Sequence, residues 1–394
     1  SAVSDDAIAQ LLQHASNDID PVLLVLDEHQ SPLPAPLHAE SRALTNRYDV
    51  CTSARRQGWP CSFSDFLISR ELLLDCKRAL YRVSKEKRVV EHVLQSLWLQ
   101  LPVGGELHIA GYKNEGIKTF AKRAKAAWDC SEELVRADGQ LHLYAFTKQA
   151  DRAELLQTDD YHALQTIGEW KGTPLLSKPG IFAWDRVDDG TGFLLEYLPQ
   201  LLAGKSVESL RTLDLGCGYG LLALALVQAG CGEVVATDNN AAALRACEGN
   251  MQQALPSQNI SVVADDCGGN LRGSFDLILC NPPFHQGFDV EQDLTDRVVG
   301  NSLSEHLGDD LGADHARAGD VIHHISTLCD DAVNRDDGNA ATRNGSRGLS
   351  ASVSQHTVCL DLKLGGVAGR RTLRPPGNDS SQSTQALGHQ GPRR

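Results

Sequence analysis

No stretch of the 394-residue chain approaches the roughly 18 to 20 consecutive apolar residues that a bilayer-spanning helix needs. The first residues, Ser1 to Ala15, lack the basic n-region and the apolar h-region of an export signal. The expected location is therefore the cytoplasm. Closely paired cysteines are missing as well. There are 11 cysteines, an odd count, and none lie closer in sequence than Cys51 and Cys61, so no CxxC pair exists. That speaks against a disulfide framework and against a zinc site built on cysteine pairs. The expectation is reduced, mostly buried thiols and no metal. A positive charge balance is also absent. The formal net charge is −14, whereas a protein that holds nucleic acid by charge alone is usually basic. A nonspecific nucleic-acid binder is disfavoured, and an enzyme with a local basic face on an acidic body remains open.

The last quarter lacks more. Beyond Phe288 there is no Phe, Tyr or Trp, and beyond Arg297 the only lysine is Lys363. Arg, Asp, Gly, Ser and His dominate, and 353–364 is the one strand-like stretch. A segment so poor in apolar residues cannot bury enough area to offset its ordering entropy. Residues 298–394 are thus expected to be an atypical tail, disordered or read in a wrong frame, that supplies no final strand to a sheet.

The remaining chain alternates strand and helix patterns. Val22 to Leu26 (VLLVL) reads as a buried parallel strand, 85–99 as a helix with Val89, Val90, Val93, Leu94 and Leu97 on one face, and 107–110 as another strand. A basic helix and a strand at 141–147 follow. The Gly/Pro-rich stretch 166–190 reads as an interdomain connection. After it come a helix (193–202), a strand (211–215), a glycine loop, a helix (221–229), a strand (234–237), a helix (241–251) and strands at 260–264 and 275–279. Strands alternating with helices imply an α/β fold with a parallel, doubly wound sheet.

The glycine loop reads Asp214-Leu215-Gly216-Cys217-Gly218-Tyr219-Gly220. Alternate glycines let the backbone bend sharply and approach a ligand closely. Asp214 can accept from a cationic amino group, and Asp238, at the end of the next strand, can take both ribose hydroxyls. Asp265 or Asp266, ending the third strand, can meet an adenine amino group, or simply cap a helix. This DxGxGxG form favours S-adenosylmethionine over NAD, so Asp214, Gly216, Cys217, Gly218, Gly220, Asp238, Asp265 and Asp266 form the expected cofactor set. A tight strand-to-helix turn without ligand is the plainer alternative.

Asn281-Pro282-Pro283-Phe284 follows the fourth strand, at the same sheet edge. An exocyclic base amine is a poor nucleophile because its lone pair is delocalised into the ring. The Asn281 side-chain oxygen and the Pro282 carbonyl can accept its hydrogens, drawing the nitrogen toward tetrahedral geometry. The two prolines hold these acceptors still. Phe284 can stack on a flipped base. A proline turn with a core phenylalanine is the alternative. His285 invites a general-base role, against a structural one. Phe182 and Trp184 could cap a substrate or pack in the interior.

These motifs resemble those of class I S-adenosylmethionine-dependent methyltransferases. The run NPPFHQG, with 101–118 and 178–195, is similar to the bacterial small-subunit ribosomal RNA guanine-N2 methyltransferases of the RsmC type, over roughly residues 1–297. The resemblance implies two tandem Rossmann-like methyltransferase domains: a degenerate one (1–165) that serves substrate binding and stability, then the 166–190 linker. A catalytic domain (191–297) follows, left incomplete by the tail. It implies methylation of a guanine N2 amine in 16S rRNA, free or in the small subunit, by a monomer. Lys113, Lys118, Lys122, Arg123 and Lys125 could contact phosphates or form a solvated face. Competing readings are a large-subunit rRNA guanine-N2 enzyme, an adenine-N6 or protein-glutamine methyltransferase, and a non-catalytic RNA-binding protein with a degenerate site.

Overall fold

The structure is a computed structural model that describes residues 6–17, 20–29, 32–156, 160–266, 271, 275–281, 349–354 and 357–362. These fall into two compact units, one running through Ala163 and taking in Asn240–Ala242, the other formed by the rest.

The first unit contains α1 (Asp6–Ala15), β1 (Val22–Leu26), β2 (Arg42–Thr45), α2 (Tyr48–Arg56), β3 (Cys61–Phe63), β4 (Arg78–Arg82), α3 (Lys87–Gln100), β5 (Glu106–Tyr112), α4 (Ile117–Ala127), β6 (Trp128–Asp138) and β7 (Leu141–Ala153). Its sheet runs β3-β2-β1-β4-β5-β7-β6. The first five strands are parallel, and β7 and β6 close the edge antiparallel. The apolar run of β1 is explained by helices on both faces. Leu23 and Val25 join a core with Val90, Leu94 and Trp98 of α3 and Phe120 of α4. Val22, Leu24 and Leu26 join a second core with Ile8 and Leu11 of α1 and Ala54 of α2. A parallel strand buried on both faces has no polar side to show, hence VLLVL.

Where β1 ends, this unit has no glycines. It has Asp27-Glu28-His29 and a buried ion pair. Arg82, at the end of β4 and 1% exposed, donates from Nη1 to Glu115 Oε1 at 2.7 Å and from Nη2 to Oε2 at 3.2 Å. His29 Nε2 lies 3.2 Å from the same carboxylate, and the Tyr112 N–H donates to it at 2.7 Å. Burial alone would raise the Glu115 carboxyl, but the bonds from His29, Arg82 and Tyr112 outweigh it and bring it down to about 2. The edge that a ligand would use is filled by the protein's own charges.

The second unit opens with β8 (Gln165–Trp170) and β9 (Thr173–Ser177), then α5 (Asp189–Leu202), β10 (Arg211–Leu215), α6 (Leu221–Gln228), β11 (Glu233–Asp238), α7 (Ala241–Met251), β12 (Asn259–Ala264), β13 (Leu277–Cys280), β14 (Leu349–Ser354) and β15 (Thr357–Leu362). The stretch read as a connection thus carries an antiparallel ribbon, β8–β9. Its turn is Lys171-Gly172, with φ of 46° and 80°. Two consecutive left-handed residues match the right-handed twist of a hairpin.

The sheet runs β12-β11-β10-β13-β15-β14, parallel as far as β13. α6 (LLALALVQ) is apolar all round, and Leu221 to Val227 are all buried. β15 then pairs antiparallel with β13 (Ile278 with Leu360, Cys280 with Val358), and β14 pairs with β15. Within the stretch read as an atypical tail, 349–354 and 357–362 thus lie beside β13 as strands. The outer edge of β13 carries unpaired N–H and C=O groups that need partners, and the short TVCLDL run supplies them. The rest of the tail lies outside the described residues.

Candidate active site

Strand register brings the site together. Leu215 pairs with Thr237 on one side and with Cys280 on the other, and Asp238 pairs with Ala264. Gly216, Asp238, Asp265 and Asn281 therefore emerge along one carboxyl edge. β11 and β13 flank β10 on opposite sides, so the strand order reverses beside the glycine loop. Open α/β sheets bind their ligands at such a reversal.

The loop is built from left-handed glycines: φ is 73° at Gly216, 55° at Gly218 and 93° at Gly220. The N–H groups of Gly216 and Cys217 both donate to the Thr237 carbonyl, at 2.9 and 2.8 Å. Gly218 N–H donates to Asp238 Oδ2 at 2.9 Å. The three glycines differ in what a Cβ would meet. At Gly216 and Gly218 nothing lies within 4 Å, whereas at Gly220 it would stand 2.6 Å from Cys247 Sγ and 3.1 Å from Cys247 Cα. Gly220 lets α7 approach, and the other two leave the face of the loop open.

Asp214 is 1% exposed, and its Oδ2 accepts the Ala223 N–H at 2.9 Å in the first turn of α6. Burial pushes its carboxyl up to about 7, against the Ala223 bond and with help from nearby Asp238. Cys217 is buried, and its thiol is raised by its hydrogen bond with Cys247 and by burial, so it is an inert wall of the loop. Asp265 is buried and Asp266 half-buried, both directly after β12. The Asp265 N–H donates to the Asp238 carbonyl at 3.1 Å.

Asn281 directly follows β13. Its Nδ2 donates to Asp188 Oδ2 at 2.8 Å and to Thr191 Oγ1 at 3.0 Å. Its Oδ1 is buried and has no donor among the described residues. Pro282, Pro283, Phe284 and His285 lie outside the described residues. Phe182 is 51% exposed, and Trp184 is half-buried on the same turn. Tyr219 ties that turn to the glycine loop, donating from its hydroxyl to the Arg186 carbonyl at 3.1 Å.

Several residues here escaped the sequence. Asn250, fully buried on α7, donates to the Tyr219 and Leu176 carbonyls and accepts the Leu176 N–H. It fixes the glycine loop against β9. Asp188 and Thr191 carry a local signal, a DxxT at the start of an apolar helix pattern, but their partner lies some ninety residues further on. Among the described residues no group of three His, Cys, Asp or Glu side chains is placed to hold a metal.

In the first unit the expected basic cluster divides. Arg123 is paired with Glu91 and also donates to the Leu156 carbonyl. Lys125 lies 3.0 Å from Glu132. Lys113, Lys118 and Lys122 are exposed on or just before α4.

Comparison with known proteins follows the same division. Residues 172–309 match the family "Methyltransferase small domain", and residues 9–156 match "Methyltransferase small domain N-terminal". The chain is 29% identical over 57% of its length to a protein of Marinomonas sp. (strain MWYL1) named ribosomal RNA small subunit methyltransferase C, spanning 63% of that relative. It is 28% identical over 75% of its length to the protein of that name from Erwinia tasmaniensis, spanning 83% of it. A third, from Shewanella loihica, is 33% identical over 56% of this chain and 62% of its own length. A solved structure described as the T. thermophilus 16S rRNA N2 G1207 methyltransferase (RsmC), in complex with AdoMet and guanosine, superposes with a TM-score of 0.62. At 22% identity it covers 76% of this chain and 81% of its own, which shows a shared fold. Among the described residues no helix is long and apolar enough to cross a membrane.

Proposed function

The chain belongs to the methyltransferase small-domain family, its catalytic and N-terminal domains both matched, and from that premise we propose that it methylates the exocyclic N2 amine of a guanine in 16S rRNA, using S-adenosylmethionine. The similar proteins are named for small-subunit ribosomal RNA, and a neighbour of the same fold holds AdoMet and guanosine. The observation that carries the reading is the Asn281 carboxamide. Its NH2 is fully engaged, and its oxygen is left as a buried acceptor at the sheet reversal, beside a loop whose glycines keep one face clear.

The residues present fit the cofactor. The open face at Gly216 and Gly218 is room that any side chain would fill, and Asp238, at the end of β11, would take the ribose hydroxyls. Asp265 and Asp266 would meet the adenine edge, and Cys217 would wall the loop. Asp214 supports the loop from beneath and places a carboxyl under it. The bound cofactor supplies an electrophilic methyl group on a sulfonium centre.

Asn281 Oδ1, with the Pro282 carbonyl, accepts hydrogen bonds from the guanine amine and turns its lone pair out of the ring plane. The gain comes from orientation more than from proton transfer. Phe284 stacks on the base, and Phe182 and Trp184 cap it. The first unit contributes RNA contacts through Lys113, Lys118 and Lys122 rather than a second cofactor. The substrate is 16S rRNA, free or in the small subunit; the protein acts as a cytoplasmic monomer without metal.

The test is methyl transfer from labelled cofactor to small subunits and to free 16S rRNA lacking the modification, followed by nucleoside mass spectrometry. N2-methylguanosine in 16S rRNA is expected. Label on adenine, on protein or on 23S rRNA would replace the reading with another amino methyltransferase. Cofactor binding without any transfer would reduce the protein to an RNA binder.

A further inference from the structure

We propose that Asp188 and Thr191 are positioning residues for Asn281, which lock its carboxamide so that the oxygen, not the nitrogen, faces the substrate amine. The inference rests on the reading of Asn281 as the base-binding residue. A carboxamide is nearly symmetric in shape, and a half-turn about its last bond exchanges oxygen for NH2 at almost no steric cost. For an amine substrate the two orientations are opposites. The oxygen accepts the amine's hydrogen; the NH2 would set donor against donor and leave the lone pair in the ring.

The structure removes that ambiguity chemically. An ionised carboxylate only accepts, so the Asn281 atom 2.8 Å from Asp188 Oδ2 must be the amide nitrogen. Thr191 Oγ1, at 3.0 Å, takes the second hydrogen. Both donors are then spent, and Oδ1 is the one atom of the group left without a partner among the described residues. A buried acceptor without a donor is an unusual thing for a fold to keep, and a substrate N–H relieves it. Asp188 also acts through the bonds. A hydrogen donated to a carboxylate shifts amide electron density toward oxygen, and hydrogen bonds in series strengthen one another. The acceptor that meets the guanine amine is therefore both aimed and strengthened. The two residues do this from the entry and first turn of α5 while Asn281 directly follows β13, so the lock joins the helix to the sheet edge.

The test is a double-mutant comparison in the full chain. Thr191→Val keeps the shape and removes the acceptor. It should lower kcat about three- to tenfold, as for one neutral hydrogen bond. Asp188→Ala should lower it about tenfold or more, because the lost bond is charge-assisted. KM for RNA and Kd for cofactor should stay within about twofold in both. Thr191→Ser should restore the rate. In an Asn281→Ala background neither substitution should change the residual rate, because both act through the same side chain.

A second readout needs no catalysis. The side-chain amide resonances of Asn281 in 15N-labelled protein, assigned by their loss in Asn281→Ala, should shift and exchange faster in Thr191→Val and Asp188→Ala. Unmoved resonances, additive rate losses, or losses that track cofactor Kd would overturn the proposal. Wild-type protein that methylates no guanine would overturn the functional reading alone, with the resonances still deciding the roles of Asp188 and Thr191.

Discussion

Replacing Gly220 by alanine should destabilise the second unit far more than the same change at Gly216 or Gly218. All three residues are left-handed, which costs a non-glycine residue about 1 to 2 kcal/mol. At Gly216 and Gly218 that is the whole cost, since a new Cβ meets nothing within 4 Å. At Gly220 the methyl group would stand 2.6 Å from Cys247 Sγ and 3.1 Å from its Cα, and backbone cannot swing aside as a side-chain tip can. Overpacking of this kind adds about 1 to 3 kcal/mol. The total, about 2 to 5 kcal/mol, is a large share of the roughly 5 to 15 kcal/mol that holds a domain folded. Urea unfolding followed by circular dichroism would measure it. Gly220→Ala should lower the midpoint strongly. Gly216→Ala and Gly218→Ala should lower it slightly yet abolish cofactor binding in calorimetry, because their methyl groups occupy the open face. Adding Cys247→Ala to Gly220→Ala should return part of the loss, as the 2.6 Å contact disappears while the 3.1 Å one stays. Equal midpoints for Gly216→Ala and Gly220→Ala would refute the reasoning.

Asp214 predicts a pH dependence. Its folded carboxyl, pushed up by burial to about 7, holds a proton more tightly than an unfolded aspartate at about 3.9. Its contribution to stability is thus fully present below about pH 4 and is lost as pH rises to about 7. Asp214→Asn should flatten that window in unfolding experiments, and an unchanged slope would discount the carboxyl. Glu115 has the opposite sign: held at about 2 in the fold, it stabilises the first unit above its ordinary value near 4.3, and this is lost as pH falls toward 2. Glu115→Ala leaves buried Arg82 without its partner and should cost about 3 to 5 kcal/mol at neutral pH, read as an earlier melting transition. Asn281→Ala should leave cofactor Kd nearly intact and cut methyl transfer by about 100-fold or more; normal turnover would sink the assigned chemistry. Asp238→Ala removes both an expected ribose acceptor and the clamp on the Gly218 N–H, so cofactor Kd should rise at least about tenfold, with KM for RNA unaffected.

Legibility in the sequence followed from how locally each feature is encoded. VLLVL announces itself because a strand buried on both faces is apolar throughout, RTLDL because it runs straight into the glycine loop, and both fall where the sequence places them. β4 (RALYR) carries arginine at both ends and offers no continuous apolar run. Its arginines are buried because distant carboxylates meet them, Glu106 beside Arg78 and Glu115 beside Arg82. The β8–β9 ribbon was hidden by the very glycine that makes its turn. In the site, the glycine loop and Asp238 are readable because one strand-turn-helix segment and the strand after it contain them. The orientation of Asn281 is not, since it depends on side chains from another element that only the folded sheet brings near.

The strand orders also set a timetable for synthesis. A chain emerges from its N-terminus, and a sheet can close only when its last partner has been made. Every strand of the first sheet, including the β7 that joins β5 to β6, exists once Ala153 has been translated. The second sheet must wait. β10 gains β11 quickly, but its other neighbour is β13, and β13 in turn pairs with Thr357–Leu362. While the ribosome reads the intervening codons, a folded first unit is tethered to a nascent sheet whose central strands have one side open. Until Thr357–Leu362 is made, the outer edge of β13 keeps a row of N–H and C=O groups open to any other free strand.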